Sequence, residues 1–251
     1  MGPLFTFSLR QLASRGRLLL LLILVSLPVG LAILVSATIG EDETSNREFI
    51  NTLLDGLLIG TIMPIVSMVL ATAAFGNEVE DRTLSFLVLK PISRLRIVSA
   101  KLLAAIAVGC PLVIVSGLTA TLVGGSGPGA RIVELDGTFQ ATLAVGVALF
   151  AGFVAYCALF TWAGLVSTRA LPYALVYVVI WEGLISSILD GVRYLSVRGY
   201  TLAIMHGLDD KSFAELSDRV IEFPAGILGV VIVTAGFLWL AVRRLDRMDV
   251  T

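Results

Sequence analysis

Few side chains in this sequence are of the types that carry out chemistry. The 251 residues contain one histidine, His206, and two cysteines, Cys110 and Cys157, which both lie in apolar stretches. A single imidazole excludes zinc sites of the HExxH type, and His206 has no partner motif for a histidine-dependent triad. The two cysteines supply neither a disulfide framework nor a CxxC metal site. We therefore expect no catalytic, cofactor-binding or metal-binding residue in this chain.

Two acidic residues stand inside apolar stretches, where a charge is costly. Glu182 is the deeper, about 17 Å from one end of its stretch at a rise of 1.5 Å per residue. It could face a substrate path, pair with a charge from another chain, or be a protonated or locally hydrogen-bonded structural group. Asp55 is only one or two turns from the end of its stretch, so solvation at the membrane interface is expected. Pro64 interrupts the same stretch and could kink it to line a path.

These residues are carried by elements that belong in a membrane. The chain is 57% hydrophobic and only 15% charged, whereas soluble domains are about 25% charged. A helix needs about 20 apolar residues to cross a bilayer. Six runs of that kind occur, at about 18–39, 50–75, 97–123, 139–166, 171–189 and 224–242. The sequence predicts an all-α membrane protein with one six-span transmembrane domain over residues 1–251.

The distribution of lysine and arginine predicts the orientation. With six spans both termini share a side, and that side carries twelve of the 18 basic residues. The positive-inside rule therefore places both termini in the cytoplasm. The charge bias and the compact size suit the inner membrane of a prokaryotic cell. The net charge of −1 argues against a nucleic acid partner.

Three further segments have recognisable patterns. Residues 4–15 alternate apolar side chains with Arg10 and Arg15 at helical spacing, which is typical of a helix lying in the membrane interface. Residues 190–223 form the longest external loop and predict short helices that could gate an exit, touch an external protein, or simply cover a dimer. In span four, small residues recur on one face and favour close helix packing, within the chain or between chains: Ala144, Ala148, Ala151, Gly152 and Ala155.

The loop between spans two and three is the most informative stretch. Acidic residues come first, and an apolar segment too short to span a bilayer follows. Pro91 ends that segment and Ser93 can start the next helix. The apolar face of residues 77–90 must be covered by lipid headgroups or by a protein groove. Lys101, further on, can snorkel back along the third span towards the headgroups.

This loop resembles the signature of the permeases of ABC-2-type transporters, in which acidic residues, an apolar run, Pro-x-Ser-Arg and an intramembrane lysine follow one another. Here these are Glu78, Glu80, Asp81, Arg82, Thr83 and Leu84, then residues 91–94 and Lys101. Arg82 stands where the family usually has glycine. The resemblance implies an N-terminal elbow helix at 4–15 and a coupling helix at 77–90. It implies contact with an ATPase subunit through Glu78, Glu80, Asp81, Thr83, Leu84, Phe86, Leu87 and Arg94.

The resemblance also implies partners. No lysine here belongs to a GxxxxGK[ST] phosphate loop, so ATP and Mg²⁺ would be bound by a separate cytoplasmic ATPase, in two copies, and this chain would not be an enzyme by itself. Two ATPase subunits related by two-fold symmetry suggest a homodimer of this chain. A pair formed with a different permease chain is the alternative. The expected function is an ATP-driven exporter. The alternatives are a complex that transmits force to an external protein, and an autonomous six-span secondary transporter centred on Glu182.

Overall fold

The fold is a bundle of helices, as the sequence predicted. A computed structural model describes residues 2–39, 43–80, 93–125, 135–167, 170–185, 190–214 and 221–247, and no strand occurs among them. The α-helices are α1 Gly2–Leu12, α2 Arg15–Ile39, α3 Glu43–Thr52, α4 Met63–Glu80, α5 Arg94–Gly125, α6 Leu135–Val166, α7 Ala170–Val176, α8 Val197–Leu208 and α9 Phe223–Asp246. Two segments are π-helical, Leu53–Ile62 and Tyr177–Ile185, and Asp190–Leu195 is a 3₁₀-helix.

Five helices in the described part of the chain are long and apolar enough to cross a membrane. They are Arg15–Ala37, Glu48–Phe75, Arg94–Val123, Phe139–Val166 and Phe223–Asp246, and they correspond to predicted spans one to four and six. The predicted fifth span is represented by the shorter apolar helix Ala170–Leu184. Residues 186–189, which would complete it, lie outside the described residues. A sixth crossing therefore stays a prediction.

Contacts between helix ends show which ends lie together. Arg94, at the start of α5, pairs with Asp246, at the end of α9, and α1 packs along α5. We call this the termini end of the bundle. At the opposite end the Ser36 hydroxyl donates to the Val123 carbonyl at 3.4 Å, and the Gln140 amide donates to the Leu208 carbonyl at 3.1 Å.

Helix α6 is the centre of the bundle. It packs against α4, α5, α8 and α9, and four members of its small-residue face, Ala144, Ala148, Gly152 and Ala155, are buried within the chain. Close packing inside the chain is therefore one use of this face. Helices α2 and α9 are much less buried than the other spans, so their apolar faces are left for lipid or for another chain.

The amphipathic segment near the N-terminus is helical, and its two faces have different surroundings. Ser8 and Leu12 of α1 are buried against the bundle, whereas Phe7 and Arg10 are exposed. Arg15 begins α2 only three residues after α1 ends. This geometry agrees with a helix before span one, and its place in the membrane interface stays a prediction.

Helix α8 lies within the bundle. Its residues 197 and 199–205 are buried, and it packs against α6 and α9. At the opposite end from the termini, Gly207 faces Phe223, the first residue of α9, and Gly229 faces the Tyr200 ring. Gly229 is about 9 Å along α9 at 1.5 Å per residue, so Tyr200, near the start of α8, lies about a quarter of the way along this 24-residue helix. The predicted external loop thus contains a helix that enters the bundle.

We expect Gly152→Ala to destabilise the protein and Gly146→Ala not to. A Cβ at Gly152 would overlap the Thr201 hydroxyl of α8 and lie 3.0 Å from the Met63 Cε atom. A Cβ at Gly146, two turns earlier on α6, would lie an ordinary 3.6 Å from Leu118 Cδ2. Overpacking costs about 1–3 kcal/mol, while alanine gains up to about 1 kcal/mol over glycine in a helix. Unfolding in mixed micelles measures the stability of each variant. Equal effects of the two substitutions would contradict this packing of α8 against α6.

Candidate functional site: a buried charge cluster and the coupling segment

Three of the residues that the resemblance assigns to the ATPase contact are described by the structure, and these lie at the termini end: Glu78, Glu80 and Arg94. The backbones of Glu78 and Glu80 form the last turn of α4. Asp81, Thr83, Leu84, Phe86 and Leu87 lie outside the described residues, as does most of the predicted coupling helix. Arg94 begins α5 directly after Ser93, the predicted helix start, and its Nε atom lies 3.7 Å from the Asp246 carboxylate. Their role in partner binding stays a prediction.

Lys101 does not extend to the headgroups, and that expectation was wrong. Its side chain is buried, and its ammonium group donates to the Ala74 carbonyl of α4 and lies 4.7 Å from the centre of the Phe75 ring. A carbonyl and an aromatic face both attract a cation, so burial between α4 and α5 is compensated. Lys101 therefore joins α5 to the part of α4 that leads into the predicted coupling helix at 77–90, which we call the coupling segment.

Glu182 is fully buried in the second π-helical segment, and donors from its own chain surround its carboxylate. The Ser196 hydroxyl donates to Oε2 at 2.5 Å. The Tyr177 hydroxyl and the Val197 N–H donate to Oε1 at 3.0 and 3.1 Å. Local hydrogen bonding, one of the alternatives considered for this acid, is thus present. Its assignment to a translocation path stays a prediction.

The carboxylate of Glu182 meets the positive end of a helix. Ser196 caps α8 by accepting the Gly199 N–H at 3.1 Å, and Val197 is the first residue of that helix. Unpaired N–H groups and the helix dipole both favour an anion at this end. Glu182 therefore fixes the start of α8 to the second π-helical segment.

Asp55 is not solvated at an interface, which corrects the expectation from its position in the sequence. It is buried in the first π-helical segment, and its Oδ1 atom accepts from Arg198 Nη2 at 2.7 Å and Nε at 2.8 Å. Arg198 belongs to the first turn of α8, and its Nη1 atom is 3.5 Å from the Glu182 carbonyl oxygen. The sequence gives no hint of this contact, because 143 residues separate Asp55 from Arg198.

These groups form one unit, which we call the charge cluster: Asp55, Glu182, Ser196 and Arg198. It joins three elements, the first and second π-helical segments and the start of α8. Gly60 makes room for it, because a Cβ there would lie 3.4 Å from Arg198 Cζ and 3.0 Å from the Asp55 carbonyl oxygen. Sequence reasoning selected the two acids but missed Arg198 and Ser196, which it counted only as parts of an external loop.

Aromatic rings pack beside Glu182. Tyr156 and Phe160 of α6 are fully buried and stack with centroids 5.9 Å apart, and Tyr177 meets Phe160 edge-on at 6.2 Å. Rings exclude water from the carboxylate, and a low dielectric strengthens the surrounding hydrogen bonds. The Glu182 side of the cluster is thus shielded from solvent, whereas the Arg198 side chain stays 18% exposed.

Pro64 is buried one turn after Gly60. Because proline has no N–H, it cannot donate the α-helical bond to the Gly60 carbonyl, and the π-helical segment ends at Ile62, two residues before Pro64. Pro64 therefore lies where the helix of span two changes geometry. Whether it borders a path stays a prediction.

The groups of the cluster are held in place by contacts with one another. The cluster has no cysteine or histidine, and no set of residues suited to a metal ion occurs in the described ranges. Five long apolar helices in the described part of the chain indicate an integral membrane protein of the polytopic α-helical class.

Comparison with known families identifies the kind of membrane protein. The family model described as ABC-2 family transporter protein matches residues 13–185, more than half of the chain. The chain belongs to this family. The family is a membrane component of transporters and is not itself the ATPase, and in general it works with a cytoplasmic ABC ATPase. Membership does not favour a secondary transporter or a force-transmitting complex. No curated protein matches the sequence.

Proposed function

We propose that this chain is the permease subunit of an ATP-driven exporter. The single observation that carries the proposal is the family match over residues 13–185, which includes the predicted coupling segment, the first four predicted spans and most of the fifth. Two chains would form a homodimer and bind two cytoplasmic ATPase subunits, which hold ATP and Mg²⁺. The termini end of the bundle would face the cytoplasm of a prokaryotic cell, since the basic residues are concentrated there.

The continuity of span two supports a mechanical role for the coupling segment. Helix α3, the first π-helical segment and α4 follow without interruption, so one helix runs over residues 43–80. Glu78 and Glu80 belong to its last turn, directly before the apolar stretch with Phe86 and Leu87. A helix is stiff along its axis, so an ATPase that moves the coupling segment would move span two with it.

The exposed apolar faces of α2 and α9 support lipid contact and a second copy of the chain. Bilayer lipid can cover such faces, and a two-fold interface would require the same patch on both copies. The translocation path would then run beside span two and the second π-helical segment, which carry Pro64 and Glu182.

Gentle purification of the tagged chain from its own membranes tests this proposal. We expect a soluble ATP-hydrolysing subunit to accompany the chain in equal amount, and a second, differently tagged copy to be recovered with the first. A chain recovered alone, under conditions that preserve a known ABC complex, would contradict the permease assignment. If the ATPase subunit is recovered but the second tagged copy of this chain is not, the homodimer is contradicted and the permease assignment is not.

A further inference from the structure

We propose that Asp55 and Arg198 are positioning residues that join span two to α8, so that movement of span two moves α8 within the bundle. The inference rests on the proposed function, because it takes the movement of span two to come from the ATPase. It adds a residue pair at the far end of the helix that the coupling segment would drive.

Asp55 lies on the same continuous helix, over residues 43–80, as Glu78 and Glu80, which begin the coupling segment. From Asp55 to Glu80 this helix extends for about 35 Å at a rise of up to 1.5 Å per residue. A displacement at the termini end therefore reaches Asp55. The π-helical geometry around Asp55 is of a kind that often occurs at functional sites.

Helix α8 is the element that such a movement would shift. It has 12 residues, about 18 Å in length, and it follows a 3₁₀-helix instead of a long rigid span. Thr201 packs on Gly152 of α6 near Met63 of α4. Because α8 fills the bundle between α6 and α9 at the end opposite the termini, a shift of α8 changes access at that end.

The pair is suited to transmit movement because it is costly to separate. Its side chains are only 8% and 18% exposed for Asp55 and Arg198, and the guanidinium donates twice to one carboxylate oxygen. A buried charge that loses its partner is strongly disfavoured, and more so at membrane depth. Asp55 and Arg198 are therefore expected to move together, whereas two apolar side chains could slide past each other.

Labelling of a buried reporter tests the inference in the intact complex with its ATPase. Thr201→Cys provides the reporter, with Cys110 and Cys157, which are also buried, both replaced by alanine. A membrane-impermeant maleimide is added in excess to the complex in nanodiscs, with and without ATP and vanadate. We expect nucleotide to raise the population of an open state, which is rare without nucleotide, about tenfold. The labelling rate should rise by the same factor.

The decisive variant replaces both charges together, as Asp55→Leu with Arg198→Met. Such a swap leaves no unpaired charge, so the chain is expected to fold, to bind the ATPase and to hydrolyse ATP. The nucleotide-dependent rise in labelling should be lost, and the conservative Asp55→Glu should retain it. A variant that keeps the full rise would overturn the inference.

The outcomes separate this inference from the proposed function. If the wild-type complex hydrolyses ATP but its labelling does not change, the positioning role is wrong and the permease assignment stands. If no ATPase accompanies the chain, both are wrong. A purely structural role of the pair would lower stability in the double variant without removing the response to nucleotide.

Discussion

Leu87→Asp or Phe86→Asp is expected to release the ATPase subunit while the permease still inserts into the membrane. The resemblance places both residues on the apolar face of the coupling helix, where an aspartate would have to be buried against the partner. Loss of one central apolar contact costs about 2 kcal/mol or more, and a buried unpaired charge adds to that cost. We expect at least about a thirtyfold loss of affinity, measured by co-purification and by ATPase activity of the complex.

Two controls distinguish loss of the contact from a general defect. Leu87→Met keeps an apolar side chain of similar size and should retain the partner. Lys211→Asp places an acid at an exposed position of the opposite end and should also leave the ATPase bound. Normal recovery of the ATPase with both aspartate variants would refute the assignment of the coupling helix.

Glu182→Leu is expected to cause the largest loss of stability among single substitutions in the charge cluster. The leucine would leave the Val197 N–H and the Tyr177 and Ser196 hydroxyls without their acceptor. A buried polar group left unsatisfied costs about 1–3 kcal/mol, so the total should be several kcal/mol. Unfolding in mixed micelles gives the stability, and protease sensitivity of residues 190–208 reports whether the start of α8 has detached.

Substitution by glutamine provides the matched comparison. Glu182→Gln keeps one acceptor oxygen but turns a donating amide towards groups that donate, so an intermediate loss is expected. Glu222→Gln changes an exposed acid and should change stability little. If Glu182→Leu unfolded like the wild type, the hydrogen bonds around this carboxylate could not be holding α8.

The sequence by itself determined the class of the protein and the positions of most long helices. A run of about twenty apolar residues crosses a bilayer as an α-helix, because every backbone group must be hydrogen-bonded within the segment. Span boundaries for Phe139–Val166 and Phe223–Asp246 therefore agree with prediction to within a few residues. The family was also readable, since the acidic residues, apolar run and Pro-x-Ser-Arg of the coupling segment stand close together along the chain.

Only the tertiary structure decided the partners of the buried charges. Asp55 and Lys101 were expected at the membrane interface because the sequence gives only their distance from the end of a span. The groups that surround them belong to helices far away in the sequence. The guanidinium of Arg198 reaches Asp55 because α8 enters the bundle, and local hydropathy gives no sign of that path. Pattern and length determine which segments enter the membrane, but a buried charge is placed by whichever distant group compensates its desolvation.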